Sequence, residues 1–250
     1  MSTPSPNKPK SERADALLTL RGLCDSREQA KRLILAGEVR SGERLIDKPS
    51  IKLPVDAPLE VKAKPRFVGR GGLKLEGALD AFAIDPSGWV CLDVGASTGG
   101  FTDCLLQRGA LRVHAVDVGT NQLVWKLRND PRVIAKEQFN ARHMVPEDIG
   151  EKVRLAVMDL SFISLTKVLP AVFSVLDEAG SVLCLIKPQF ELRREDVGKG
   201  GIVRDPDLHQ RAIDKIHRCV TEEHARQWRG LTPSPITGTD GNQEFLAWIG

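Results

Sequence analysis

A chain of 250 residues has room for one large α/β domain and a small companion, at about 100–200 residues per domain. With 41% hydrophobic and 28% charged residues it has the composition of an ordinary globular protein, and no apolar run approaches the roughly 20 residues a bilayer span needs, which excludes a helical membrane protein. Its net charge of +3 is unevenly placed: residues 1–64 hold 13 Lys/Arg against 9 Asp/Glu, and the remainder 23 against 24. That asymmetry suits either a module facing a polyanion or a solvated basic face, attached to a near-neutral domain. The five cysteines, Cys24, Cys91, Cys104, Cys184 and Cys219, are widely spread without a C-x-x-C pair, so they are expected to be reduced and buried, with no metal site or disulfide implied.

In chain order, MSTPSPNKPKSER lacks an apolar stretch and reads as a short disordered tail over residues 1–12, not a secretion signal, which makes the cytoplasm the default location. RADALLTLRG predicts a helix with Ala14, Leu17 and Leu18 on its apolar side. SREQAKRLILAGE predicts a second, opened by a capping box of Ser26 and Gln29 and stopped at Gly37. On it Arg27 and Lys31 stand one turn apart, with Arg32 adjoining, away from Ala30, Leu33 and Ile34. EVRSGERLIDKPSIKLPVDAPLEVK then reads as short strands turning at Ser41-Gly42, completing an αα-plus-β module over 13–64. The Pro- and Gly-punctuated residues 65–71 are expected to form a linker. From Gly72 the pattern alternates: a helix at LKLEGALDAFAI, strands at WVCLDV, RVHAVDV, RVIAK, RLAVMDL and SVLCLIK, a polar helix from Asp205, and a terminal hairpin turning at Asp240-Gly241. Residues 72–250 are therefore expected to form a doubly wound, mostly parallel α/β sheet, the hairpin adding an antiparallel strand.

Ligands of such sheets sit outside the carboxyl ends of the strands. The first strand ends in Asp93-Val94 and turns through Gly95-Ala96-Ser97-Thr98-Gly99-Gly100; the second ends at Asp117. A dinucleotide and S-adenosylmethionine both carry a ribose for Asp117, so that residue does not separate them. The turn does. Ser97 stands at the middle glycine of G-x-G-x-x-G, which a pyrophosphate needs for close approach, and Asp93 would repel a pyrophosphate charge about 5 Å away by roughly 3 kcal/mol at an effective dielectric of about 20. The cation of S-adenosylmethionine reverses that sign. Its site is expected to comprise Asp93, Gly95, Ser97, Gly99, Gly100 and Asp117.

Four charged residues should converge on the same rim: Lys74 from the helix before the first strand, Asp159 and Lys187 at strand ends, and Glu244 opening the last strand. Singly, each reads equally as a solvated lysine or a helix cap. Together they suit a hydroxyl acceptor, whose oxygen must lose its proton as it attacks the methyl group. A lysine is a base near neutral pH when burial or a neighbouring cation lowers its pKa, and Lys74 would be that neighbour for Lys187. Asp159 and Glu244 would position the ammonium groups and the acceptor.

Taken together, SREQAKRLILAGEVRSGERLIDKPSIKLPVDAPLEVK, GRGGLKLEGALDAF, CLDVGASTGGFTDCLLQRGA, VHAVDVGTNQL, MDLSFISL and LIKPQFE resemble the TlyA or haemolysin A family over nearly the whole chain from about residue 13. The N-terminal part is similar to the S-four type RNA-binding domain, and the larger part to the FtsJ-like ribose methyltransferases, whose Lys-Asp-Lys-Glu tetrad falls on Lys74, Asp159, Lys187 and Glu244. The resemblance implies S-adenosylmethionine-dependent 2′-O-methylation of cytidine ribose in ribosomal RNA, with ribosomal RNA or ribosomal subunits as partner, no membrane, and Arg27, Lys31 and Arg32 as RNA contacts. Two departures stand out. Relatives often carry a Trp-containing segment where this chain has Arg66-Phe67-Val68-Gly69, and Glu191, close behind Lys187, competes with Glu244 for the fourth place. The loop ELRREDVGKGGIVRDPD is basic and Gly-rich, as a lid, an RNA contact or an ordinary exposed loop would be. With 5% aromatics and no Tyr, shape and backbone recognition of structured RNA is expected, with the target nucleotide extruded.

Three other readings compete. Asp159-Leu160-Ser161-Phe162 has the D-x-x-F outline of base-amino methyltransferases, without their prolines and with no task for two lysines. A non-catalytic RNA-binding or assembly factor would keep the fold and lose donor binding. A membrane-active cytolysin is the reading the sequence supports least, since neither an amphipathic apolar helix nor an export signal is visible.

Overall fold

The computed structural model describes residues 10–62 and 65–250, Lys199 by its backbone alone. The chain divides into two compact units, Met1–Lys64 and Pro65–Gly250.

The first unit runs β1 (Ser11–Arg13), α1 (Ala14–Leu20), α2 (Arg27–Leu35), β2 (Val39–Ser41), β3 (Arg44–Leu45), β4 (Lys52–Pro54) and β5 (Leu59–Val61). Most of the expected tail, residues 1–9, lies outside the described residues, but its end is ordered: Ser11–Arg13 pairs antiparallel with Lys52–Pro54. The backbone hydrogen bonds of that pairing outweigh the polar composition that suggested a tail. The Ser26 hydroxyl accepts from Gln29 N at 3.2 Å, while Gln29 Oε1 accepts from Asp25 N at 2.8 Å, so both halves of a cap are made one residue apart. Ala14, Leu17, Leu18, Ala30, Ile34, Val39 and Ile46 form the core.

The second unit continues with α3 (Gly71–Ala81), β6 (Val90–Val94), α4 (Gly100–Gln107), β7 (Arg112–Val116), α5 (Trp125–Arg128), β8 (Val133–Lys136), α6 (Pro146–Ile149), β9 (Val153–Met158), α7 (Leu169–Val175), β10 (Leu176–Ile186), α8 (Pro188–Glu191), α9 (Pro206–Arg218), β11 (Trp228–Pro233) and β12 (Phe245–Ile249). Its seven strands lie in the order β11-β12-β10-β9-β6-β7-β8. Neighbours from β10 through β8 are parallel, and β12 runs antiparallel to both β10 and β11. Because side chains alternate across a strand, Leu92, Ala156, Val182 and Cys184 enter one core, and Cys91, Leu155, Leu183 and Leu185 the other. A sheet packed on both faces explains why these strands read as unbroken apolar runs.

Residues 65–71 are not a free linker. Phe67 is buried in the core between α3 and α4, Val68 N donates to Asp103 Oδ2 at 2.9 Å, and Arg66 pairs with Glu76 at 2.6 Å. The glycines and proline suggested a linker, but one buried aromatic ring is enough to anchor so short a stretch. All five cysteines are buried. Among the described residues no helix is long and apolar enough to cross a membrane.

Candidate active site

The strand order reverses between β6 and β9, so the chain leaving β6 and the chain leaving β9 diverge and open a crevice at their carboxyl ends. Two adjoining hollows occupy it, of about 340 and 330 Å³, sharing Gly95, Ser97, Asp159, Ser161 and Phe162.

One hollow gathers three of the residues expected for the donor, Gly95, Ser97 and Asp117. Gly95 sits at φ +85°, and a Cβ there would come 2.6 Å from the Asp159 carbonyl oxygen, so only glycine lets the turn lie against the end of β9. Ser97, also left-handed at φ +48°, donates its N–H to Asp117 Oδ2 at 2.8 Å, and Gly119 N donates to Oδ1 at 2.7 Å. Each Asp117 oxygen keeps acceptor capacity toward the hollow, whose wall continues with Val94, Val116, Phe139, Ala141 and Ile163. A carboxylate at one end of an apolar slot of this size fits a nucleoside, the ribose hydroxyls meeting Asp117 and the base meeting the apolar wall. Asn140 and Phe139 join this wall unannounced by the sequence, since they follow a loop after β8 that has no periodic signature.

Two residues expected to line it do not. Asp93 is fully buried beneath the turn, where its Oδ2 accepts from Thr102 Oγ1 at 2.6 Å and its Oδ1 has no hydrogen-bond donor. Burial pushes its pKa up to about 7, opposed by the Thr102 bond and reinforced by the negative charges of Asp159 and Asp117. The alternation along β6 aims Asp93 at α4, away from the crevice. Gly99, at φ +99°, serves packing: a Cβ there would strike Leu127 and Leu123. Gly100 does border the crevice, at the start of α4.

The other hollow holds the four charged residues. Lys74 Nζ, from α3, donates to Glu244 Oε2 at 2.5 Å, joining residues 170 positions apart. Lys187 Nζ lies 2.6 Å from Asp159 Oδ1 and donates to Ser161 Oγ at 3.0 Å. Both lysines are about nine-tenths buried. Each lysine has a carboxylate of its own, so the four residues form two ion pairs. Glu191 is elsewhere: its carboxylate accepts from Leu165 N at 2.8 Å, from the Ser164 hydroxyl and from Lys215 Nζ at 3.0 Å. Glu244 therefore completes the constellation and Glu191 braces the loop after β9. That loop also carries Phe162, 91% exposed at φ +64° and packed at a tilt of 51° against Phe190 with ring centroids 5.1 Å apart. A bulky residue at positive φ is strained, and neither that strain nor Ser161 could be read from the D-x-x-F outline.

In the first unit, Arg32 is exposed and Lys31 makes only a loose 3.5 Å pair with Glu28. Arg27 is exposed and also bonds within the unit. It donates to the buried Asp15 at 3.2 Å, alongside Arg13 at 3.0 Å. The hydrogen bond from Arg13, helped by Arg27, holds the Asp15 carboxyl down at about 2.

The family model described as FtsJ-like methyltransferase matches residues 67–250, and that of the S4 domain matches residues 12–57. The chain is 50% identical over 241 residues to YqxC of Bacillus subtilis, described as a candidate rRNA methyltransferase, covering 95% of this chain and 85% of that one. It is 47% identical to the 16S/23S rRNA (cytidine-2′-O)-methyltransferase TlyA of Mycobacterium tuberculosis, covering 95% and 89%. A solved candidate hemolysin from Streptococcus thermophilus superposes with a TM-score of 0.72 at 45% identity, over 96% of this chain and 88% of that one. With the crevice, the doubly wound sheet and these matches in agreement, the chain is a member of the FtsJ-like methyltransferase family with an S4 domain at its N-terminal end.

Proposed function

We propose that this protein transfers a methyl group from S-adenosylmethionine to the ribose 2′-hydroxyl of a cytidine in ribosomal RNA. The observation that carries the reading is the pair of buried lysine–carboxylate contacts, Lys187–Asp159 and Lys74–Glu244, on one wall of a crevice whose adjoining hollow fits a nucleoside. The relatives named as rRNA methyltransferases support the substrate class.

S-adenosylmethionine, when bound, supplies a methyl group on a sulfonium that an oxygen nucleophile can displace. Asp117 would hold its ribose, and Gly95 and Ser97 would let the turn approach it. Lys187, at the end of β10, is placed to take the proton that the acceptor hydroxyl gives up. Asp159 and Ser161 hold its Nζ in place before substrate arrives; as the neutral amine that nitrogen takes the hydroxyl proton, becoming an ammonium paired with Asp159, while the methyl group leaves the sulfonium for the oxygen. Lys74 and Glu244 line the same hollow and orient the ribose. The exposed Phe162, packed at a tilt against Phe190, offers the extruded cytosine a ring to lie against. Arg32 and Lys31 in the first unit supply sequence-independent contacts to RNA phosphates.

The test is tritium transfer from S-adenosylmethionine to ribosomal subunits by wild type and Lys187→Ala, followed by nucleoside analysis. Label on a cytidine 2′-oxygen that falls by about 10²–10⁴ in the variant is expected. Label on a base nitrogen, or none despite donor binding, overturns the reading in favour of a base-amino methyltransferase or an assembly factor.

A further inference from the structure

α9 is amphipathic. Ala212, Ile213 and Ile216 are buried on the sheet side, while Arg211, Lys215 and Arg218 recur at i, i+4 and i+7 and so share one outward face. Glu191, the last residue of α8, and Leu192 and Arg193 after it line, together with that face, a groove of about 780 Å³. Arg193 faces the three helix cations across it, with His217 beside them; Glu191 and Asp214 are its carboxylates.

Two carboxylates against four cations leave the lining net basic. Glu191 is buried and already committed to Lys215, Leu165 N and Ser164, and Asp214 receives Gln210 Nε2 at 2.8 Å. Arg211 pairs with Asp196 at 2.9 Å and Arg193 with Glu195 at 3.5 Å, both exposed arginines in solvent-facing pairs that an incoming anion can replace at little cost. Arg218 makes no ion pair among the described residues. The groove is open, with charged side chains predominating and no Phe or Trp in its lining, which suits a charged backbone better than a stacked base or an apolar helix.

Its position links it to the crevice. Lys215 Nζ donates to both the carbonyl and the carboxylate of Glu191, at 2.8 and 3.0 Å. Glu191 ends α8, the helix that starts directly after Lys187, and its carboxylate holds the Leu165 end of the loop that carries Asp159, Ser161 and Phe162. One wall of the groove is thus built on the same short helix and the same brace as the site of proton removal.

We propose that this groove is a second RNA-binding surface, on the methyltransferase unit itself, that grips the phosphodiester backbone of the substrate strand flanking the target nucleotide. The proposal rests on the reading that ribosomal RNA is the substrate. Arg211, Arg218 and Arg193 supply the phosphate contacts, and Lys215 spends its charge on Glu191 to keep the groove and the loop in register.

The experiment compares wild type with Arg211→Gln/Arg218→Gln in equilibrium binding to protein-free ribosomal RNA and to assembled subunits, between about 50 and 300 mM KCl. Melting temperature, S-adenosylmethionine affinity and kcat are read on the same samples. The expected result is unchanged donor affinity and kcat, a rise in KM and Kd for RNA of about tenfold or more, and a salt slope lower by about 1.4–1.8, the change that follows when two phosphates are no longer neutralised by the protein. An unchanged Kd and slope, in a variant that still melts normally, overturns the groove while leaving the methyltransferase reading intact. A weakening seen on subunits and absent on protein-free RNA assigns the groove to an acidic protein and overturns it as an RNA surface. If wild type methylates neither RNA nor subunits, the functional reading fails first, and the proposal with it.

Discussion

The Lys187 ammonium lies 2.6 Å from the Asp159 carboxylate, so one ion pair bridges the carboxyl ends of the adjacent parallel strands β10 and β9. Asp159→Ala leaves Lys187, nine-tenths buried, with Ser161 as its remaining partner. Removing one member of a buried pair costs about 3–5 kcal/mol, and the partial exposure of Asp159 puts the expected loss at the lower end. Adding Lys187→Met should recover stability but not methyl transfer. Denaturant melts of the two single variants and the double variant check this; additive losses in the double variant would count against the pair as a coupled unit.

Gly95→Ala tests the turn. The added methyl would meet the Asp159 carbonyl at 2.6 Å in a left-handed backbone, a strain of about 1–3 kcal/mol. The turn relieves it only by retreating from β9, which distorts the donor slot. Titration with S-adenosylmethionine should show an affinity loss of tenfold or more, whereas Gly241→Ala, at φ +88° with open space around it, should lose stability alone. Equal donor affinity in wild type and Gly95→Ala would remove the turn from the binding site.

Asp93 gives the fold a pH signature. Its carboxyl titrates near 7 when folded and near 4 in an unfolded chain. Between those values the folded state holds the extra proton, so this residue's contribution to stability is greatest below about pH 4, falls as pH rises toward 7, and is level above. Asp93→Asn keeps an oxygen for Thr102 and removes the titration. It should stabilise the protein at pH 8 by on the order of 2 kcal/mol and change little at pH 4. Parallel stability–pH curves for the two proteins would show that the buried carboxyl is not the source.

In the first unit, Arg27 and Arg32 should behave differently. Asp15, held at about 2 by Arg13 and Arg27, contributes stability that is present above the ordinary carboxylate value near 4 and lost as pH falls through about 2. Arg27→Gln should therefore cost about 1 kcal/mol at neutral pH, with the cost vanishing in acid. Lys31→Gln/Arg32→Gln should leave stability unchanged and lower the salt slope of RNA binding by about 1.4–1.8. Thermal melts and salt-dependent RNA binding separate the two outcomes.

What could be read along the chain was local. The Ser26 cap, the Gly37 stop, the apolar runs at 90–94, 153–158 and 181–186, and the glycine turn after β6 depend on neighbours a few residues away or on a sheet buried on both faces, and each appears where its pattern lies. Lys74 and Glu244 were placed on the rim by their positions in the helix–strand order and by the family resemblance, but their contact, spanning 170 positions, has no local signal. The rest required the folded chain. Asp93 points at α4 because alternation along β6 gives it the core face, and the choice between Glu244 and Glu191 depends on which strand end each side chain meets. Arg27, though exposed, reaches Asp15 because α1 packs on α2, and Phe67 turns an apparent linker into part of a core. Charge and periodicity in a sequence name the groups available; which of them are desolvated together, and so which attract, titrate or react, is set by long-range packing that no window of sequence contains.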